Sequence, residues 1–146
     1  MPKFMKMLNN ISRSHAIYRH SRIVSEELMP SHISFVMAIC RMDGCSQEEL
    51  ARELCLNKST VARTIAYLEE KGYISRSVLP NDKRQFSVSP TEKMRKLLPE
   101  IKKASGEWMS LVTEGIPEEE LLVFISVLER MHTRAREITE RQEGDK

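Results

Sequence analysis

Within seven positions, Asn57, Lys58, Ser59, Thr60 and Arg63 bring an amide, an ammonium, two hydroxyls and a guanidinium to one end of a short segment. Such groups donate to phosphate oxygens and base edges, and Arg can pair bidentately with guanine. Val61, Ile65 and Leu68 recur at spacings of four and three, which puts them on one face of a helix, with Ser59, Arg63 and Tyr67 opposite. The spacing predicts a helix over 57–72 that buries one face and offers its donor-rich first half to DNA. Glu69 and Glu70 near the far end would be repelled by phosphate, so that half should stay out of a groove.

A second cluster, Asp82, Lys83 and Arg84, forms the basic tip of the turn-rich run 80–84, between the β-type runs YISRSVL and QFSVS. Plainer roles compete for all these residues. Lys58 and Lys83 can be ordinary surface charge, Ser59 or Thr60 a helix cap, and Asp82 a turn residue. Other chemistry is less well supported. There is no G-x-S-x-G, no phosphate loop and no Cys/His arrangement with a family signature, so no enzyme is expected. The histidines His15, His20, His32 and His132 include no i,i+4 pair, and neither a metal site nor another cofactor is expected. Cys40, Cys45 and Cys55 make no C-x-x-C pair, which reads as reduced thiols in a cytoplasmic protein. No apolar run approaches the roughly 18 to 20 residues of a membrane span, and the start MPKFMKMLNN lacks a signal-peptide core.

The donor helix needs elements to hold it, and 146 residues suffice for one domain with a real core or a small domain plus oligomerisation helices. Met5, Leu8, Ile11 and Tyr18 predict a first helix over about 5–24 whose apolar face needs a partner. A second helix should follow Pro30 and bury Ile33, Val36, Met37 and Cys40. Ser46 and Glu49 have capping-box spacing and open a short third helix carrying Leu50, Ala51 and Leu54. Two short helices, a tight turn and a following hairpin make a winged helix. From Thr91 a helical stripe runs through Met94, Leu97, Ile101, Ala104 and Trp108. Pro99 lies inside it, so the helix should kink, open locally or begin later. Gly115 and Pro117 end that stretch, and Glu118, Glu119 and Glu120 suit the first turn of a last helix. The net charge of +2 is too small to argue for nucleic acid by itself. Lys3, Lys6, Arg13, Arg19 and Arg22 all precede the first acid, Glu26, an asymmetry compatible with a phosphate-facing surface or a solvated helix face.

The run SQEELARELCLNKSTVARTIAYLEEKGYI followed by NDKRQFSVSPTEK resembles the winged helix of the MarR family of transcriptional regulators, the multiple-antibiotic-resistance type. Asp82 and Arg84 match the family's D-x-R wing pattern, and Leu28 and Pro30 its opening of the second helix. The chain departs from that pattern at Pro90, where a Leu is usual, at Met94, where a glycine is usual, and at Met29. The resemblance implies a mainly α fold with a small β-hairpin wing. It implies a single domain over 1–146, with a winged-helix lobe at 30–90 and dimerisation helices at 1–28 and 91–141. It further implies a homodimer spanning successive major grooves of double-stranded DNA, about 34 to 36 Å apart on a pseudo-palindromic operator. Lys58, Ser59, Thr60 and Arg63 then face the major groove. Arg84 reaches the minor groove with Asp82 holding its guanidinium, while Lys83 lies on phosphate.

Many such repressors release DNA when a small aromatic or phenolic acid binds beside the dimerisation helices. Arg13 with His15 or Lys6 could supply the cation for its carboxylate. Arg13 could equally pair with an acid across a dimer, and His15 could be a core residue. The sequence also leaves open a sequence-tolerant architectural DNA-binding protein and a helical protein-interaction module. The first would show little preference for any palindrome. The second would tolerate loss of Arg63 and Arg84.

Overall fold

A computed structural model describes residues 2–79 and 81–144, apart from the side chains of Pro2, Lys83, Arg84 and Glu143. It forms two compact units, Met1–Met109 and Ser110–Lys146. The first unit begins with α1 (Pro2–Ser21), whose last turn carries Arg19 and His20, cations that suit the negative end of a helix dipole. After a connection, α2 (His32–Arg41) buries Ile33, Phe35, Val36, Ala38 and Ile39. Gly44 and the two-residue strand β1 (Cys45–Ser46) then lead into α3 (Gln47–Leu54). Its capping box forms as the spacing predicts: the Glu49 N–H donates to Ser46 Oγ at 3.1 Å and the Ser46 N–H to the Glu49 carboxylate at 2.7 Å. Helix α4 (Lys58–Glu70) follows after a short turn.

Helix α4 ends at Gly72, whose φ of +76° is open to glycine at little cost. The turn it makes lets the Tyr73 N–H donate to the Leu68 carbonyl at 2.8 Å. The chain then enters β2 (Ile74–Leu79) and returns as β3 (Asp82–Pro90). Strand β3 is central in an antiparallel sheet of order β1-β3-β2, with Cys45 opposite Val88 and Arg76 opposite Val88 on the other side. Two differences from the sequence reading have simple causes. The wing is a three-stranded sheet because β1, too short and polar to show a period, pairs through its backbone. Strand β3 begins at Asp82 rather than Gln85, because a bulge between Val78 and Leu79 brings Leu79 opposite Asp82 and tightens the loop.

The predicted long helix after the wing is two helices, α5 (Glu92–Arg95) and α6 (Leu98–Val112). Pro99 is the second residue of α6, in the first turn, where its missing N–H would have had no helical acceptor, so the helix begins later instead of kinking. Met94, at the position where a glycine is usual, is completely buried in the core. That core is continuous: Ile33, Val36, Ile39, Leu50, Val61, Ile65, Leu68, Val88, Met94 and Ile101 are all fully buried, and no buried polar side chain interrupts it among the described residues.

In the second unit α7 (Glu118–Gly144) opens with the three expected glutamates. Its apolar residues Leu122, Val123, Phe124, Ile125, Leu128, Met131 and Ile138 remain exposed within the chain. On α1 the same is true of Met5 and Ile11 from the predicted stripe. No helix among the described residues is long and apolar enough to cross a membrane.

Candidate nucleic-acid interface

The candidate surface is built from α4. Val61, Ile65 and Leu68 have no solvent exposure, which fixes the rotation of the helix about its axis and turns the other face outward. Asn57 is the N-cap: its Oδ1 accepts from the Thr60 N–H at 2.8 Å and from Ser59 Oγ at 2.8 Å. One amide oxygen therefore ties down the first turn and orients a hydroxyl beside it. The cap is therefore Asn57, not Ser59 or Thr60. The turn before it places Cys55 in the left-handed region, φ 51°, and closes with the Leu56 N–H donating to the Ala51 carbonyl at 3.0 Å. The positive end of α4 thus points to solvent with Asn57, Lys58 and Ser59 around it, all exposed.

Lys58 Nζ lies 3.1 Å from the Glu48 carboxylate of α3, an exposed pair that competes with any phosphate for the same ammonium. Arg63 is exposed one turn on, and its Nη2 approaches Thr60 Oγ1 at 3.5 Å, too long to hold the guanidinium in one place. In the wing, Asp82 opens β3 and the backbone of Lys83 and Arg84 continues that strand. The side chains of Lys83 and Arg84 lie outside the described residues. Arg76 on β2 pairs with Glu69 of α4 and lies over the Phe86 ring at 5.4 Å, linking wing and helix.

The structure does not gather Lys6, Arg13 and His15 into one site. Two residues apart on a helix, Arg13 and His15 point about 200° apart. Arg13 lines an open outward groove with Asn10, Ile17 and Tyr18. His15 faces inward and stacks on Trp108 of α6, ring centroids 4.6 Å apart. Burial, with help from the nearby Arg19 charge, holds the His15 pKa below its ordinary value, so near neutral pH it is a poor cation. Lys6 is exposed and lines neither of these places.

A pocket of about 470 Å³ opens elsewhere in the first unit, among residues of α1, α2, α3 and α6. Arg41 and Glu53 in its lining pair with each other, which leaves Arg19 and Lys102 as its other charges, beside apolar residues that include Met37 and Leu98. Arg19 Nε is buried with no hydrogen-bond partner among the described residues, and burial lowers its pKa. Sequence periodicity missed Arg19 because it read α1 for its apolar stripe. Its i+4 spacing from His15 was the available signal. Cys40, also in this lining, and Cys45 have thiol pKa values pushed up by burial, the opposite of a reactive thiolate.

Residues 28–86 match the model of the MarR family. Among curated proteins, the HTH-type transcriptional regulator BilQ of Clostridioides difficile (strain CD3) is 25% identical over 111 residues, covering 76% of this chain and 75% of that protein. Among solved structures, a MarR transcriptional regulator from Methanosarcina mazei Go1 superimposes with a TM-score of 0.84 at 29% identity, covering 94% of this chain and 99% of that one. A MarR-family regulator from Listeria monocytogenes, solved in complex with a 26mer DNA, gives 0.82 at 22% identity over 91% of this chain and 89% of its own.

Proposed function

From the premise that the chain belongs to the MarR family of transcriptional regulators, we propose that it is a homodimeric repressor. It binds a pseudo-palindromic operator and releases it when a small aromatic or phenolic acid binds. The carrying observation is the first half of α4, where Lys58, Ser59, Thr60 and Arg63 project from a helix whose opposite face is locked in the core. That geometry suits base-edge and phosphate contacts in a major groove, with Asn57 shaping the helix start. At the wing tip Arg84 is the minor-groove candidate, with Asp82 holding its guanidinium and Lys83 on phosphate. The apolar residues exposed along α1 and α7 support dimerisation, since a second copy would cover what this chain leaves in water. The pocket bearing Arg19 and Lys102 suits the ligand's carboxylate better than Lys6, Arg13 and His15 do, because it combines an Arg19 Nε that has no hydrogen-bond partner among the described residues with apolar Met37 and Leu98 in its lining. Release requires only that the ligand bind the DNA-incompetent spacing of the two winged helices more tightly than the competent one.

The test is fluorescence anisotropy with duplex DNA from upstream of the protein's own gene and with a scrambled duplex, at two salt concentrations. Specific binding should exceed non-specific by at least about a thousandfold. Arg63→Ala and Arg84→Ala should each cost about 1 to 3 kcal/mol on the specific duplex. Weak binding, equal on both duplexes and abolished by salt, would replace the regulator reading with an architectural one.

A further inference from the structure

The connection 22–31 between α1 and α2 meets the C-terminal half of the recognition helix. Three consecutive residues in it each give a backbone group to a different element. The Glu27 carbonyl accepts from Tyr67 Oη of α4 at 2.6 Å. The Leu28 carbonyl accepts from His20 Nε2 of α1 at 2.5 Å. The Met29 N–H donates to His32 Nδ1 of α2 at 3.2 Å.

The Glu27 side chain adds to these. Its carboxylate accepts from Tyr73 Oη at 3.1 Å and from Lys93 Nζ at 2.8 Å. Lys93 in turn donates to the Lys71 carbonyl at the C-cap of α4, also at 2.8 Å, and lies over the Tyr73 ring at 4.3 Å. One residue therefore meets the recognition helix through Tyr67, its C-terminal cap through Lys93 and the entry to the wing through Tyr73. Glu27 is itself half-exposed and contributes nothing to the apolar core, so core packing does not explain this concentration of contacts.

Resting on the DNA-binding reading above, we infer that Glu27 is a positioning residue for DNA recognition, fixing the tilt of α4 from its C-terminal half without touching DNA. The lever is long: Tyr67 and Ser59 are eight residues apart, about 12 Å along the helix, so a tilt of roughly 10° moves the donor end by about 2 Å. Hydrogen bonds to base edges hold over only a few tenths of an ångström, whereas attraction to phosphate tolerates such a shift. A change in tilt therefore lowers specific affinity while leaving non-specific affinity in place.

The experiment measures binding of the full chain to the operator and to a scrambled duplex for wild type, Glu27→Ala, Glu27→Gln, Tyr67→Phe and Arg63→Ala, with thermal unfolding of each. Glu27→Ala and Tyr67→Phe should lower specific affinity roughly threefold to tenfold, the range of one or two lost hydrogen bonds. Non-specific affinity should stay within about twofold, because no phosphate contact is removed. Glu27→Gln keeps a carbonyl oxygen for Tyr73 and Lys93 and should recover most of the specific affinity. Tyr67→Phe removes a single hydroxyl and tests the inference even where Glu27→Ala fails to fold. Specific and non-specific binding falling together would mark Glu27 as merely structural and overturn the inference. Retention of the wild-type ratio in Glu27→Ala and Tyr67→Phe, alongside its loss in Arg63→Ala, would overturn the inference alone. A wild-type protein with no preference for any duplex would overturn the regulator reading beneath it.

Discussion

Replacing Glu48 by Gln should tighten DNA binding, and the size of the effect follows from one ion pair. Lys58 Nζ lies 3.1 Å from the Glu48 carboxylate. A phosphate bound on the far side of that ammonium at a similar distance would stand about 6 Å from the carboxylate. Two unit charges at that separation repel by roughly 0.7 kcal/mol in bulk water and about 3 kcal/mol at an effective dielectric of 20. Screening over a Debye length of about 8 Å halves both figures. Glu48→Gln should therefore bind roughly twofold to ninefold more tightly at physiological ionic strength, and the gain should grow as salt is lowered. Lys58→Ala is the complement: it should weaken binding to any duplex and reduce the slope of log affinity against log salt by about 0.9. Both are read by anisotropy titrations of a labelled duplex at four or five salt concentrations. A Glu48→Gln protein that binds no tighter at any salt, or a Lys58→Ala protein with an unchanged slope, would show that the start of α4 does not face phosphate.

Three further outcomes follow from the fold. Met94→Ala empties a fully buried site in the core and should destabilise the protein by about 2 to 5 kcal/mol in guanidinium unfolding; a loss well under 1 would mean the surroundings collapse to fill it. Asn57→Ala removes the cap of α4 and should cost about 1 kcal/mol, with Asn57→Asp close to wild type in the same measurement. His15 and His32 both have pKa values lowered, chiefly by burial, so the unfolded chain takes up protons before the folded one does. Stability from these groups is complete above the ordinary histidine value of about 6.5 and declines as pH falls through it towards the lower folded values. Thermal unfolding from pH 8 to 5 should show that decline, and His15→Phe, which keeps a ring against Trp108, should flatten it.

The recognition helix was legible because its signals were local and agreed. Val61, Ile65 and Leu68 gave the buried face, and Ser46 with Glu49 gave the start of the preceding helix as it is observed. Elsewhere the deciding partner was far away in the chain. Strand β1 exists because Val88 and Ser87 come alongside Cys45 and Ser46, and two residues cannot display a period. Pro99 marked a break correctly, but the choice between a kink and a new start rested on where α5 ends. Arg13 and His15 lie on different sides of α1 for a related reason. Which side of α1 faces inward is set by the packing of His15 and Ser14 against Trp108, not by the polarity of α1 itself. The links of Tyr67, Tyr73 and Lys93 to Glu27 span 40 to 66 residues and leave no mark in local sequence.

The stack of His15 on Trp108 also gives the protein a built-in optical probe. Trp108 is the chain's one tryptophan, so all indole emission comes from the place where α1 meets α6. Imidazolium quenches indole more strongly than neutral imidazole does. Emission intensity therefore reports on the protonation of His15 and on its contact with Trp108, without a label and in the unmodified protein.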